Sequence, residues 1–530
     1  MLPLLLYAET HYRFRYFFSL LKKREPEIVA DSPHRLEPGH KLPILLLIKD
    51  AHDYPIVLRT TTVTITQHDG IILQKELLKK PQRVDQKWWW QVFHMEVTGI
   101  SGWISINVNF EFEVKGKVRS YRNDNYLTSS KKPLSVFVSD EPLPRLPGMA
   151  FGDAHTHSHY TDDQVEYGSP PGVSQMLAGA MGLSFFCVTD HSYDLDDSVD
   201  NYLVNDPNVS KWAKLKQDIE RLNKNSSDVV VIRGEEVSCR NHRDRNVHLL
   251  LLGDKNFFHG SGDGAERWFR TWCEHSVANV IQNKESASLA FAAHPLERVP
   301  FLQRLLLRRD EWKAEDWEIE GIKGLQFLNG VMNKSFIEGK NAWVQSLLKG
   351  HRIYLLGGND AHGNFNRFRQ IGIPFFSIRE SNDHLFGKMR TGVILNGAVN
   401  VGSILNALRL GCHVITDGPV ASMKLRNPRT AASIGQTIKG KNVSLEIEAA
   451  SSREFGTISD VRLYQGIIGG GEETLLSQES TTGEYRIKKE LTLQIDRRCY
   501  IRLEVATSPQ NTFDQQTHFC LTNPIWIEPR

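Results

Sequence analysis

A series of short apolar runs, each ending in a histidine or an acidic residue, is the feature that most constrains the fold of this chain. SFFCVTDH, DVVVIRGEE, LAFAAHP and IYLLGGNDAH all read as buried strands, and helix-like segments such as VSKWAKLKQDIERLNK lie between them. Strands that alternate with helices predict βα units around a parallel sheet. Because many such units follow one another between residues 148 and 417, we expect an α/β barrel with its active site at the carboxyl ends of the strands.

Strand-rich regions flank this central part on both sides. IVLRTTTVTITQHDG and WISINVNFEFEVKG precede it, and VSLEIEAASS and CYIRLEVATS follow it; all four are rich in β-branched residues. The segment DEPLPRLPG carries three prolines and a glycine, which is typical of a linker between domains. We therefore predict an N-terminal β-sandwich domain at 1–145, the barrel at 148–417 and a C-terminal β-sandwich domain at 418–530.

Composition excludes several classes of protein. The 64 Lys and Arg residues nearly balance the 62 Asp and Glu residues, and a net charge of +2 argues against nucleic acid as the main partner. Six scattered cysteines without a CxxC pair suit a reducing compartment and make a zinc-thiolate site improbable. No apolar window approaches the length of a membrane span, and the N-terminus lacks the layout of a signal peptide. We therefore expect a cytoplasmic protein that acts on a small-molecule substrate. Exposed strand edges of the flanking domains would be one place for contacts between copies of the chain in a homo-oligomer.

Histidines and carboxylates accumulate where the strand-like runs end. His155 and His157 alternate on one strand, so their side chains point to the same face. The carboxyl ends of parallel strands converge, and burying so many polar groups together without a cation would be costly. Imidazoles and carboxylates without thiolates suit two or three divalent ions of Zn, Mn or Fe. The later candidate ligands are Asp190, His191, Glu235, Glu236, His248, His294, Asp360 and His362.

The motifs DAHTHS, TDH, GEEVS, VHLLLLG, AHP and GNDAH, in this order, resemble the motif series of the PHP (polymerase and histidinol phosphatase) metallohydrolases. The resemblance covers residues 148–417 and implies a distorted (β/α)7 barrel with two or three metal ions. It also implies three ligand groups: a first metal with His155, His157 and Asp360, a second with His248 and His294 that Glu236 bridges to the first, and a third with Asp162, His191 and His362. The family pattern favours Glu236 over Glu235, and the family spacing favours Asp162 over Asp163.

A narrower resemblance extends into the tail. GLQFLNG, ILNALRLGCHVITDGP and LTNPIWI are similar to segments of the CehA/McbA branch, which includes hydrolases of aryl carbamates and amides. These motifs carry less weight than the ligand series, because such tail segments could mark the packing of domains rather than chemistry.

Three functions are compatible with these residues. Metals that share a bridging water would lower its pKa and give a hydroxide nucleophile, and we expect catalytic roles for Asp162, His191, Glu236 and Asp360. The first hypothesis is phosphoester hydrolysis, the commonest activity of PHP proteins; a solvated surface role is equally open for each arginine offered as a phosphate contact, namely Arg240, Arg243, Arg298 and Arg367. The second is hydrolysis of a carboxyl ester, carbamate or amide. The third is a metal-stabilised binding module without turnover.

Overall fold

A computed structural model describes most of the chain and is dominated by β-strands. The described residues are 25–68, 70–125, 132–162, 167–199, 201–225, 228–263, 271–366, 383–510 and 512–529. Among these residues, no helix has both the length and the apolar character that crossing a membrane requires.

The N-terminal strands form two sheets of their own. One sheet has the order β1-β3-β7, and the other has the order β2-β10-β8-β4-β5, with β6 also paired to β4 and β9 also paired to β8. Alternate side chains of β8 are buried, and Ile106 of β8 shares a hydrophobic core with Ile44 of β3. The strands are β1 Glu27–Asp31, β2 Arg35–Leu36, β3 Leu42–Lys49, β4 Ile56–Gln67, β5 Gly70–Glu76, β6 Gln82–Val84, β7 Trp88–Met95, β8 Gly102–Val114, β9 Lys117–Arg122 and β10 Leu134–Val138.

The central region combines strands with helices. Its strands are β11 Met149–His157, β12 Phe185–Val188, β13 Asp197–Ser198, β14 Asn201–Asn205, β15 Val230–Arg240, β16 Asn246–Leu252, β17 Leu289–Ala293, β18 Ile322–Asn329, β19 Tyr354–Gly358, β20 Ala361–His362, β21 Arg390–Ile394 and β22 His413–Thr416. The described helices are Pro171–Ala180, Ser192–Leu195, Ser210–Asn225, Val277–Asn283, Phe301–Leu306, Ala314–Trp317, Lys334–Leu348 and Val401–Leu410.

The C-terminal strands divide between two sheets. Four of them form a separate sheet with the order β24-β23-β26-β29, and the others extend the central sheet through the pairing of β22 with β31. The central sheet therefore continues across residue 418. The strands are β23 Val420–Arg426, β24 Ala431–Ser433, β25 Thr437–Lys439, β26 Asn442–Ala450, β27 Ile458–Ile467, β28 Glu473–Glu484, β29 Arg486–Gln494, β30 Cys499–Thr507, β31 Phe519–Thr522 and β32 Ile525–Glu528.

The expectation of a (β/α)7 barrel is wrong. Apart from β13 and β14, which form a separate pair, the central strands belong to a curled, mixed sheet that has 16 strands among the described residues. In this sheet β15, β16 and β17 pair antiparallel, and β11 pairs antiparallel with β21. The physical reason is the length of one connection. β15 ends at Arg240 and β16 begins at Asn246, and so short a link can only form a hairpin, whereas a parallel crossover needs a dozen residues or more.

The curl of this sheet brings the ends of distant strands together. β20, just after β19, pairs parallel with β11 at Thr156 and His157, although β19 stands at the far end of the strand order. Gly358 allows this approach, since a Cβ at that position would lie 2.7 Å from the backbone nitrogen of His155. The strand ends that carry the candidate ligands therefore face one another.

Candidate metal centre

Seven of the predicted ligands lie in three overlapping groups of potential metal-binding atoms. Within each group, one nitrogen or oxygen atom from every residue lies within 4.8 Å of the others. The fold gathers them because β11, β15, β16 and the segments after β12 and β19 meet at one side of the curled sheet. The groups are His157, His191 and His362; His155, His157, Glu236 and Asp360; and His191, Glu236 and His248.

Glu236 is the centre of this cluster. Its Oε2 lies 3.5, 3.4 and 2.8 Å from ring nitrogens of His155, His157 and His191. Its Oε1 lies 2.9 Å from His248 Nδ1 and 3.0 Å from His294 Nε2. The carboxylate is completely buried. Five imidazoles therefore surround one carboxylate, and His294 joins the site through this contact.

Several polar atoms inside the cluster lie close together without satisfying each other as hydrogen-bond partners. His191 Nδ1 and Glu236 Oε2 are 2.8 Å apart, yet neither buried atom has a hydrogen-bond partner among the described residues. The Nε2 atoms of His155 and His157 face each other at 3.2 Å. Buried polar atoms normally find partners, and lone pairs aimed at a common point are the donor set of a cation. The residues present therefore fit divalent transition metal ions.

The electrostatics of the cluster keep its carboxylates ionised, and those carboxylates raise the pKa of His155 to about 9 and that of His248 to about 10, although burial lowers both. Burial alone raises the pKa of Glu236, but the imidazoles of His248, His155 and His191 hold it well below its usual range. The pKa of Asp360 is also well below its usual range, because the imidazoles of His155 and His157 outweigh burial. Burial and the neighbouring His362 and His191 lower the pKa of His157 well below its ordinary value. Ionised carboxylates and neutral imidazoles are the forms that ligate metals, so Glu236, Asp360 and His157 are already in the required form, whereas His155 and His248 would release a proton when a metal binds.

Two ligand positions have a backbone conformation that most residues avoid. His294 has φ 28° and Asp360 has φ 51°, both in the left-handed region. Each is held by a hydrogen bond: the His294 amide donates to Gln326 Oε1 at 2.9 Å, and the Asp360 amide donates to the His155 carbonyl at 2.9 Å. Strain of this kind persists where surrounding contacts fix it and is often found at functional sites.

Two buried polar residues outside the ligand groups, Gln326 and Asp263, contact the candidate ligands. Neither was predicted from the sequence. Gln326 Oε1 lies 3.2 Å from His155 Nδ1 in addition to its contact with His294, and Asp263 Oδ2 lies 2.6 Å from His248 Nε2. A signal for Gln326 was available, because it is the single polar residue in the buried run Gly324-Leu325-Gln326-Phe327-Leu328 of β18. Asp263 follows no apolar run, and nothing in its local sequence marks it.

Asp162, which the resemblance placed on a third metal, lies in none of the three groups. Its carboxylate is paired with two lysines of the N-terminal region, 3.3 Å from Lys49 Nζ and 2.6 Å from Lys87 Nζ. Although burial raises the pKa of Asp162, these lysines lower it to about 2. The structure therefore places Asp162 in an ion-pair contact between the N-terminal strands and the segment after β11.

Of the four arginines predicted to contact substrate, the three that the structure describes are not gathered around the cluster. Arg240 pairs with Asp244 at 2.6 Å, the Nε of Arg243 lies 3.2 Å from His242 Nε2, and Arg298 is exposed. Arg367 lies outside the described residues. None of the three described arginines is shown in contact with a candidate ligand.

Comparisons with known proteins do not assign this chain to a family. No family model and no curated protein sequence matches the chain. Among solved structures, a β-D-mannosidase from Dictyoglomus thermophilum aligns with 94% of this chain and 66% of its own, at 8% identity and a TM-score of 0.23. A β-glucuronidase 2 from Bacteroides uniformis aligns with 96% of this chain and 62% of its own, at 11% identity and a TM-score of 0.18. A Salmonella α-2-macroglobulin aligns with 95% of this chain and 23% of its own, at 8% identity and a TM-score of 0.14. The chain thus spans less than two thirds of the length of these proteins, and similarities at TM-scores this low support no conclusion about this chain.

Proposed function

We propose that this chain is a metal-dependent hydrolase that holds two or three divalent ions of Zn, Mn or Fe. The observation that carries the proposal is the buried carboxylate of Glu236, which five imidazoles surround and whose Oε2 has no hydrogen-bond partner in the part of the chain that the structure describes. A cation at this point would compensate the charge and satisfy the lone pairs. The proposed ligands are His155, His157, His191, Glu236, His248, His294, Asp360 and His362.

The residues of the chain would hold and orient the reacting groups. Divalent ions bound there would lower the pKa of coordinated water and polarise an oxygen of the substrate. Gln326 Oε1 accepts the Nδ1 proton of His155, which leaves the Nε2 lone pair of that ring for a cation. Glu236 and Asp360 supply negative charge that offsets the charge of the ions.

The order of these ligands along the chain supports a relationship to the PHP metallohydrolases. We propose that relationship for the ligand series alone, because the observed sheet is not the barrel that the family name implied. Asp162 is left out of the proposed ligand set, since Lys49 and Lys87 occupy its carboxylate.

The surroundings of His294 favour a carbonyl substrate over a phosphoester. A small cavity of about 10 Å³, with room for a single water molecule, lies beside this ring, and its described lining contains no lysine or arginine: Leu296, Glu297, Phe327, Asn329, Val331, Asn333 and Ser335. A phosphate group is usually held by cationic side chains, whereas an ester, amide or carbamate suits apolar and neutral polar neighbours. We therefore propose cleavage of a carboxyl ester, amide or carbamate, and the phosphoester hypothesis becomes the competing outcome of the test.

Two measurements test the proposal. Elemental analysis of the purified protein should give two to three equivalents of transition metal. Aryl esters, carbamates, anilides and aryl phosphates, assayed with added Mn or Zn, should show turnover of the carbonyl substrates. His155→Ala and Asp360→Ala should abolish that turnover. His242→Ala is a matched control, because this histidine is exposed and pairs with Asp316 at 2.9 Å, outside the ligand groups.

The outcomes separate the three functions. Faster turnover of aryl phosphates would return the assignment to phosphoester hydrolysis. Bound metal without turnover of any substrate would favour a binding module. A protein that takes up no transition metal would overturn the proposal altogether.

A further inference from the structure

A buried carboxylate outside the three ligand groups contacts one of their histidines. Asp263 is completely buried, and its Oδ2 lies 2.6 Å from His248 Nε2. The other nitrogen of that ring, Nδ1, lies 2.9 Å from Glu236 Oε1. Asp263 therefore occupies the side of the imidazole that points away from Glu236.

Two further donors fix Asp263. Arg309 Nε donates to its Oδ1 at 2.9 Å, and Ser238 Oγ donates to its Oδ2 at 3.0 Å. Arg309 is also buried, so the negative charge of Asp263 is compensated inside the protein. On the other side, Trp312 Nε1 donates to the backbone carbonyl of His248 at 3.2 Å. The carboxylate and the ring that it contacts are therefore both held in place.

We propose that Asp263 is a positioning residue of the metal centre, which accepts the Nε2 proton of His248 and so directs the Nδ1 lone pair at the site. This inference rests on the proposed function. A carboxylate that accepts a proton from a ligand histidine fixes the tautomer, sets the ring orientation and increases the basicity of the ligating nitrogen. Arg309 holds the carboxylate in the required orientation.

Cobalt binding provides a test that does not depend on turnover. The wild-type protein, Asp263→Asn and Asp263→Ala are stripped of metal and titrated with Co²⁺ against a competing chelator. Loss of such an outer contact typically weakens metal affinity about 10- to 100-fold. We expect Asp263→Ala to show a loss in this range and Asp263→Asn a smaller one. The visible d–d spectrum of bound Co²⁺ should shift, while the number of ions bound at saturation stays the same.

Asp254→Asn is the matched control. Asp254 is also buried and accepts hydrogen bonds from Ser288 Oγ at 2.7 Å and from the Glu285 amide at 2.8 Å, away from the histidines. This variant should lose stability without a change in Co²⁺ affinity or spectrum.

Each remaining outcome decides a different point. Wild-type affinity and spectrum in both Asp263 variants would refute the positioning role while leaving the metal centre intact. Loss of one ion at saturation would make Asp263 a ligand and also refute it. Absence of Co²⁺ binding by the wild-type protein would instead remove the proposed function. If Asp263→Ala fails to fold, the nearly isosteric Asp263→Asn still gives the answer.

Discussion

Replacing Glu236 with glutamine should remove most of the bound metal. Glu236 belongs to two of the three ligand groups, and the third consists of His157, His191 and His362. If each group holds one ion, metal content should fall from three equivalents to one. The substitution keeps the size of the side chain, so the change isolates its charge and its second carboxylate oxygen.

The same substitution should also weaken the metal-stripped protein. Removing one partner from a buried charged network commonly costs about 3–5 kcal/mol, because the remaining groups stay buried without compensation. Glu236 faces five imidazoles, with contacts as short as 2.8 Å to His191 and 2.9 Å to His248. We therefore expect urea unfolding of stripped Glu236→Gln to show a loss of this order in the free energy of unfolding.

The neighbouring Glu235 offers a matched control. It is equally buried but points to the opposite side of β15, where its oxygens accept from the Phe258 amide at 3.3 Å. Burial raises the pKa of Glu235 well above its usual value, so a neutral glutamine resembles it. Glu235→Gln should therefore retain the full metal content. Elemental analysis after dialysis against metal-free buffer measures both variants. The reasoning is refuted if Glu236→Gln keeps the metal content of the wild-type protein, or if Glu235→Gln loses as much metal as Glu236→Gln.

Two further predictions concern buried ion pairs outside the three ligand groups. Burial lowers the pKa of His518, but hydrogen bonds to Asp417 and Asp514 raise it to about 9. The pKa of His518 is therefore higher in the folded protein than in the unfolded chain, so that its protonation stabilises the fold by about 3 kcal/mol. This contribution should be complete below pH 6.5 and should disappear as the pH rises through 9. His518→Gln should flatten that part of a urea-unfolding profile, and an unchanged profile would contradict the assignment. Lys49→Met should lower the free energy of unfolding, because it removes the contact between Lys49 and Asp162. In the double variant Lys49→Met/Asp162→Asn, the loss of free energy should be smaller than the sum of the two single losses by about 0.5–3 kcal/mol. Metal content should stay at the wild-type level in both single variants; loss of an ion in Asp162→Asn would restore Asp162 as a ligand.

The ligand cluster was largely predictable because its signals are local. Two residues apart on a strand, His155 and His157 must share a face, and the other ligands each stand at or near a strand end. The structure brings seven of the nine predicted ligands into its groups and adds His294 through Glu236. Asp162 differs because its partner Lys49 lies far away in the sequence, so that spacing alone could not separate an ion pair from a metal contact.

Strand direction was the main error in the predicted fold. A buried apolar run has the same composition whether its neighbours are parallel or antiparallel, so VHLLLLG gave no indication of its direction. The length of the loop did carry that information. Five residues, 241–245, separate β15 from β16, and this distance is short enough for a hairpin and too short for a helical crossover.

The outer contacts of the centre explain why its geometry does not depend on an ion alone. Gln326 holds both His155 and the strained backbone of His294, and the carbonyl of His155 holds the strained backbone of Asp360. All of these groups lie on or next to strands of the central sheet, whose packing fixes them. A ligand set held in this way would lose little conformational entropy on binding the proposed cation, because folding has already ordered it. The curl of the sheet, which brings β20 beside β11, is therefore the property of the fold on which the proposed chemistry depends.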